Sequence, residues 1–278
     1  MGEGLPAPAG APVADALAAV RERCDLTPVA GVILGSGLGE ALPGIEPESS
    51  FGFGDLPGFP VATAPGHEGR LVLGRLSGVP VAAFLGRIHF YEHGSMELCS
   101  LTVRLARALG ARFVVLTAAV GSLGPDLPAG SLVVLEDHLN MMGVNPLAGW
   151  RFPEGWPAFV PLAQVYDPGL VELAEQVAEE ERIRVRRGVY AAVAGPAFET
   201  PSEAEFLHRA GGTVAGMSVV PEAVAAGALG MRVLGLAMVT NASGAPVGHT
   251  GVLREGERAA PELGRLVAGI LPRLDPPE

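Results

Sequence analysis

Short apolar runs recur along the chain, and stretches of helical period separate most of them. The runs are VAGVIL (29–34), RLVLGRL (70–76), VPVAAFLG (79–86), ARFVVLTAA (111–119), SLVVLEDHL (131–139), GVYAAVAG (188–195) and MRVLGLAMVTN (231–241). Each has the length and composition of a buried strand. Ser77 and Gly78, between the second and third runs, predict a tight turn and hence a hairpin. Helical periodicity covers 95–110, 167–182, 200–212, 219–230 and 256–274. Asp167 and Pro168 read as an N-cap and a first helical residue, and Thr200 with Glu203 as a capping box. Gly110 and Gly211 read as helix stops. Pro261 predicts a bend or a late start in the last helix. This alternation places the chain in the α/β class: a single domain whose central mixed, twisted β-sheet is flanked by helices on both sides. Residues 1–12 are expected to form a flexible leader, 13–274 the domain and 275–278 a tail. The segment 141–166 is long and rich in Gly, Pro and aromatics, which marks it as a functional loop.

Composition narrows the function. At 278 residues and 49% hydrophobic, the chain can bury one large core. No apolar run approaches the roughly 18–20 residues that span a membrane. The start, MGEGLPAPAGAP, has no basic region or apolar stretch of a secretory signal. Net charge is −11 and all 19 basic residues are Arg, with no basic block. Nucleic acid is therefore a poor partner, and a small molecule is the expected one. Cys24 and Cys99 lie far apart, without zinc spacing, and read as buried thiols in a reducing cytoplasm.

GVILGSGLGE (31–40) resembles the start of a dinucleotide-binding unit. Gly35 and Gly37 fit that fingerprint, but Glu40 stands at the third glycine, and no acidic residue follows at a strand end. What remains is a glycine turn carrying Ser36. It fits either an anion-binding loop or a plain strand–turn–helix.

Other clusters lie at predicted strand ends, where α/β sheets bind ligands. APGHEGRL (64–71) carries His67 between glycines. LGRIHFYEHG (85–94) places Arg87, His89 and Tyr91 on one side, an oxyanion-binding set, with Glu92 able to hold a histidine tautomer. His89 and His93 have zinc-pair spacing, but Phe90 occupies the glutamate position of that motif, so no metal is expected. Glu199 beside Phe198, and Asn241 closing an apolar strand, offer a carboxylate, an aromatic face and an amide. Together these can read the edge of a heterocyclic base.

GSGLG, PGHEGRL, GRIHFYE, AGPAFET, GMSVVPE and TN follow one another in the order and spacing of the trimeric class of purine nucleoside phosphorylases, over about 29–272. The resemblance implies reversible phosphorolysis of purine ribonucleosides or deoxyribonucleosides to free base and (deoxy)ribose 1-phosphate. Inorganic phosphate is a co-substrate, and no cofactor is needed. It implies that Ser36, His67, Arg87, His89, Ser218 and the backbone of Ala119 bind phosphate. Tyr91, Met217, His249 and Phe159 would meet the ribose, with Phe159 reaching a neighbouring site in a homotrimer. Phe198, Glu199 and Asn241 would hold the base, and Asn241, Glu199 and His89 would carry catalysis. The related methylthioadenosine phosphorylases have Asp where this chain has Asn241, which implies a preference for inosine and guanosine. Ala118 and Ser122 depart from the family's usual Asn and Gly. The alternatives are a 5′-methylthioadenosine or xanthosine phosphorylase of the same fold, a dinucleotide-dependent oxidoreductase, or a nucleoside-binding protein without catalysis.

Overall fold

The computed structural model describes residues 7–8, 13–42, 44–61, 63–64, 66–153, 155–156, 159–245 and 249–274. Its centre is a nine-stranded mixed sheet. The strands are β2 (Ala30–Ile33), β3 (Glu46–Gly52), β4 (Arg70–Leu76), β5 (Val79–Leu85), β6 (Phe113–Ser122), β7 (Leu132–Asn140), β9 (Val185–Ala192), β10 (Val214–Gly216) and β11 (Arg232–Ala242). A separate two-residue pair joins β1 (Ala7–Pro8) to β8 (Trp150–Arg151). Of the expected leader only this pair is described, and the tail at 275–278 lies outside the described residues.

The sheet order is β10-β9-β7-β11-β6-β2-β5-β4-β3. β11, β6, β2 and β5 run parallel, while β4 and β3 add an antiparallel edge. β10 pairs with both β9 and β6, so β10, β9, β7, β11 and β6 close into a ring. β11 shows why these runs are apolar on both sides. Val233, Ala237 and Val239 enter one core, while Leu234, Leu236 and Met238 enter the other. The first core is capped by α1 (Val13–Arg21), α4 (Leu101–Leu109) and α7 (Val220–Ala228). The second is capped by α5 (Pro168–Glu180) and α8 (His249–Ile270). The short helices α2 (Phe90–His93) and α3 (Met96–Cys99) follow β5, and α6 (Pro201–Arg209) follows β9.

Local signals act as expected at several points. Ser77 and Gly78 both have positive φ, 51° and 78°, and Leu76 pairs with Val79 across them, which is the two-residue hairpin. Thr200 and Glu203 form the capping box. Gly110 ends α4 in the left-handed region.

Three expectations are corrected. The helix over 95–110 is two pieces, because the Ser100 hydroxyl donates back to the Glu97 carbonyl at 2.7 Å between them. The last helix starts at His249, not near 256 or Pro261, and Pro261 sits exposed inside it. The seven apolar runs miss β3, which pairs along β4 with an irregularity between Pro47 and Ser49.

Asp167 ties helix to sheet. Its carboxylate accepts from Leu170 N at 3.1 Å as the α5 cap, and from Arg232 Nε and Nη2 at 2.6 and 2.9 Å at the start of β11. The Arg232 hydrogen bonds hold this carboxyl below its ordinary value, against the opposing effect of burial. Asp167→Ala should lower the urea midpoint by the equivalent of about 1–3 kcal/mol without changing the slope. Since the folded-state pKa is depressed, that contribution is full above about pH 4 and is lost as acid protonates the folded carboxylate. Urea curves for wild type and variant should therefore converge in strong acid.

Candidate active site

Chain segments leaving the C-terminal ends of β2, β5, β9 and β10 meet the ends of β6 and β11 around a cleft of about 350 Å³. Gly35 and Ser36 come from the turn after β2, and Arg87, His89 and Tyr91 from the segment after β5. Ala119, Val120 and Gly121 come from β6, and Pro196, Phe198 and Glu199 from the segment after β9. Ala215, Gly216, Met217, Ser218, Thr240, Asn241 and Val252 complete the wall. A wider groove of about 1060 Å³ lies between the turn entering β7, the end of α5 and the start of β9. Its arginines and carboxylates are interspersed surface charges, and none of the residues singled out above lines it.

At one end of the cleft, His67 links two backbone segments. Its Nδ1 accepts from the Arg87 amide at 2.8 Å, and its Nε2 lies 2.8 Å from Ser36 Oγ. A backbone N–H can only donate, so Nδ1 is the acceptor and the ring proton sits on Nε2. The Ser36 oxygen then accepts from His67, and its own proton is available to an anion. Gly86 makes this possible: at φ 117° it carries no Cβ, which would lie 2.7 Å from His67 Nδ1.

Arg87 is buried, at 1% exposure. Its Nε and Nη2 face Glu222 Oε1 and Oε2, each at 3.2 Å, while Nη1 donates to the Thr117 carbonyl at 2.6 Å and to Ser218 Oγ at 3.1 Å. Tyr190 holds Ser218 from beneath, its hydroxyl oxygen accepting from Ser218 N at 3.1 Å. Gly216 leaves room for that hydroxyl, since a Cβ there would sit 2.2 Å from it. Val219, next along, has φ 64° and ψ −56°, and Val220 N donates to Ser218 O at 2.7 Å across it. This is a γ-turn of the rare, strained hand at a β-branched residue, held by its surroundings.

His89 stacks on Tyr91 with ring centroids 4.8 Å apart. Its Nδ1 lies 3.0 Å from Glu92 Oε1, so a carboxylate fixes the proton there and turns Nε2 away from Glu92. Burial pushes the Glu92 carboxyl up, but hydrogen bonds from His89 and Thr63 outweigh it and leave the group ionised far below the usual carboxylate range. Burial first, then the Glu92 charge, pushes the Tyr91 phenol up to about 12, so it stays an O–H.

The other end of the cleft is softer. Phe198 is 42% exposed. The Asn241 amide is oriented by Thr240, whose hydroxyl lies 2.9 Å from Oδ1, and its Nδ2 donates to Ala242 O at 3.2 Å. Gly195 lets Met217 and Tyr91 close in, since a Cβ there would meet Met217 Sδ at 2.4 Å.

One anticipated residue stands apart and another is only partly described. Phe159 is 91% exposed and does not line this cleft. His249 opens α8, with its side chain outside the described residues, and Val252 one turn on lines the cleft. Ala118 is buried in the core behind Gly35, and Ser122 pairs with Val214 and Ala242; neither is among the residues lining the cleft. The glycine turn leads into a single 3-10 turn, Gly39–Ala41, and not into the long helix of a dinucleotide fold. Gly37 is spent on α8: a Cβ there would lie 2.9 Å from the Leu253 carbonyl. Glu222, Tyr190 and Thr117 escaped the sequence reading. The available signal was a charged or hydroxyl group embedded in an otherwise apolar run.

Comparison with known proteins agrees with this geometry. The model of the phosphorylase superfamily matches residues 29–272. Purine nucleoside phosphorylase 1 of Bacillus subtilis is 40% identical over 264 residues, covering 94% of this chain and 97% of that protein. The Schistosoma mansoni purine nucleoside phosphorylase in complex with inosine superposes at a TM-score of 0.87, with 32% identity, over 95% of this chain and 97% of that one. A Schistosoma mansoni purine nucleoside phosphorylase in complex with adenosine superposes at 0.88, with 33% identity, over 95% of this chain and 98% of that one. Matched almost end to end in sequence and in fold, this chain belongs to the phosphorylase superfamily and, within it, to the purine nucleoside phosphorylases, enzymes that split a purine nucleoside with inorganic phosphate.

Proposed function

We propose that the chain prefers 6-oxopurine nucleosides, inosine and guanosine, and that the polar end of the cleft holds phosphate while the Phe198 end holds the base. The observation that carries this reading is the division of one cleft into two chemistries. Ser36, Arg87, His89, Ser218 and the Ala119 backbone gather donors for an oxyanion at one end. Phe198, Glu199 and Asn241 offer a stacking face, a carboxylate and an amide at the other. His67 acts through Ser36. Tyr91 and Met217 lie against the ribose between the two ends, and His249 meets its far hydroxyl.

The chemistry follows from that layout. The C1′–N9 bond stretches and its electron pair leaves with the purine, so C1′ becomes oxocarbenium-like. Phosphate beneath C1′ stabilises that cation and then bonds to it, giving the sugar 1-phosphate. The proton that the hydrogenphosphate gives up is balanced by one that the departing purine anion takes from solvent, so the purine leaves as the neutral base. Asn241 hydrogen-bonds the purine at N7 as negative charge develops there. Glu199 accepts the N1–H. These are positioning and electrostatic effects, and the phosphate is consumed as a co-substrate. A 6-oxopurine carries a proton on N1; adenine presents a lone pair there to Glu199. Binding of both nucleosides, as in the Schistosoma mansoni structures, is compatible with faster cleavage of one.

The assembly proposed is a homotrimer. A phenylalanine exposed at 91%, together with Val61 at 66% and Met141 at 45%, is apolar surface suited to a neighbouring copy. In that arrangement Phe159 closes over the ribose in the middle of the next subunit's cleft. Both cysteines are free and buried, which suits a reducing cytoplasm.

Inosine should give hypoxanthine and an equal amount of ribose 1-phosphate when phosphate is present, and no hypoxanthine when it is omitted; hydrolysis without phosphate would overturn the assignment. Asn241→Asp should move the inosine-to-adenosine ratio of kcat/KM toward adenosine by about tenfold, the value of one well-placed hydrogen bond. An unchanged ratio would remove Asn241 from base recognition. Sedimentation should give three times the chain mass, and Phe159→Ala should raise the KM for inosine several-fold while sparing that for phosphate.

A further inference from the structure

Arg87 borders the cleft, yet its charge is opposed from behind. Two of its nitrogens face the Glu222 carboxylate and the third is shared between Thr117 O and Ser218 Oγ. Glu222 is itself 2% exposed and is the third residue of α7. Burial pushes its carboxyl up, and Arg87 works against that shift. An arginine left unopposed in a desolvated cleft would grip phosphate strongly, and would grip the sugar 1-phosphate product equally. A guanidinium hydrogen-bonded through Nε to Glu222, with Nη2 in ion-pair contact with the other carboxylate oxygen, offers the anion a dipole and a fixed wall in place of a full charge.

We propose that Glu222 is a positioning residue for phosphorolysis: by holding and neutralising Arg87 it weakens the anion end of the cleft, so that the phosphate-bearing product is released. The inference rests on reading that end as the phosphate site. It also gives the strained turn at Val219 a use. The turn starts α7 directly after Ser218, so one short segment delivers Ser218 to the cleft and Glu222 to the back of Arg87.

This role predicts a change opposite in sign to that of a merely structural one. If Glu222 only shaped the site, Glu222→Gln would loosen phosphate binding. Under the proposal, Glu222→Gln frees a charge and places an amide N–H against Arg87, driving the guanidinium toward the cleft. The KM for phosphate should fall by about tenfold, as when one opposing charge is removed beside a desolvated anion site. Inhibition by sulfate should tighten in parallel, kcat should drop, and the KM for inosine should stay within about twofold. A folded Glu222→Gln enzyme whose phosphate KM is unchanged or higher overturns the proposal. If that variant does not fold, Glu222→Asp, which keeps the charge but draws it back from Arg87, takes its place. A phosphate KM that falls supports the proposal, and one that is unchanged or higher overturns it. Wild type is assayed first with inosine, with and without phosphate. Failure there defeats the reading of the site, whereas failure confined to the variants defeats only the role of Glu222.

Discussion

A guanidinium buried where the strands of an apolar sheet end, against the cleft, is the constraint around which this molecule is arranged. Arg87 leaves the end of β5 with 1% exposure, in an interior where an unpaired charge is strongly destabilising. Its partners come from three other elements: the Thr117 carbonyl on β6, Ser218 after β10 and Glu222 on α7. Each of these segments holds a buried hydrogen bond to the cation that a shift of that segment alone would break. The cation therefore fixes the relative places of strand ends that are far apart in sequence, and those strand ends make the cleft.

Histidine and glycine complete that arrangement at the mouth. His67 accepts from the Arg87 amide and reaches Ser36, so the turn after β2 is registered to the segment after β5. This works only because position 86 carries no side chain. Glu92 performs the matching task for His89, and its second oxygen accepts from Thr63 and Ala64, which joins the 63–64 segment to the same network. The donors of the anion end are thus oriented by hydrogen bonds made away from it, which is what preorganisation requires.

What could be read from sequence depended on the range of the interaction. The Ser77–Gly78 turn, the Asp167 and Thr200 caps and the Gly110 stop are settled within a few residues, and they stand in the structure as read. The cluster at 87–91 was also legible, because it follows the C-terminal end of β5. The chain leaves that strand at Leu85 and enters α2 at Phe90, so the leaving segment and the helix start, rather than strand alternation, bring Arg87, His89 and Tyr91 to the cleft. Helix starts were less so. Pro261 suggested a beginning, but α8 runs through it with that residue exposed, and Gly256 and Gly264 close against the backbone of Ser36, Gly37 and Ala41. That close approach is tertiary and overrides the local preference. Glu222 was invisible for the same reason: its partner lies 135 residues away, and a glutamate in a helix's first turn already has an ordinary explanation in the helix dipole.

The segment from Gly216 to Glu222 shows how much chemistry a short run can hold when distant elements supply the counterparts. Gly216 yields space to the Tyr190 hydroxyl, Met217 closes on Gly195, and Ser218 meets Arg87. Val219 reverses the chain in a conformation it would not choose, and Glu222 arrives behind Arg87 one helical turn later. A γ-turn of this hand costs roughly 1–3 kcal/mol in isolation, so it persists only where its neighbours overdetermine it. Here they do: the Tyr190 oxygen anchors the residue before the turn, and the Arg87–Glu222 fork anchors the helix after it. A strained, buried valine is thus evidence that the position of Ser218 is enforced from both sides, which a relaxed loop would leave free to drift.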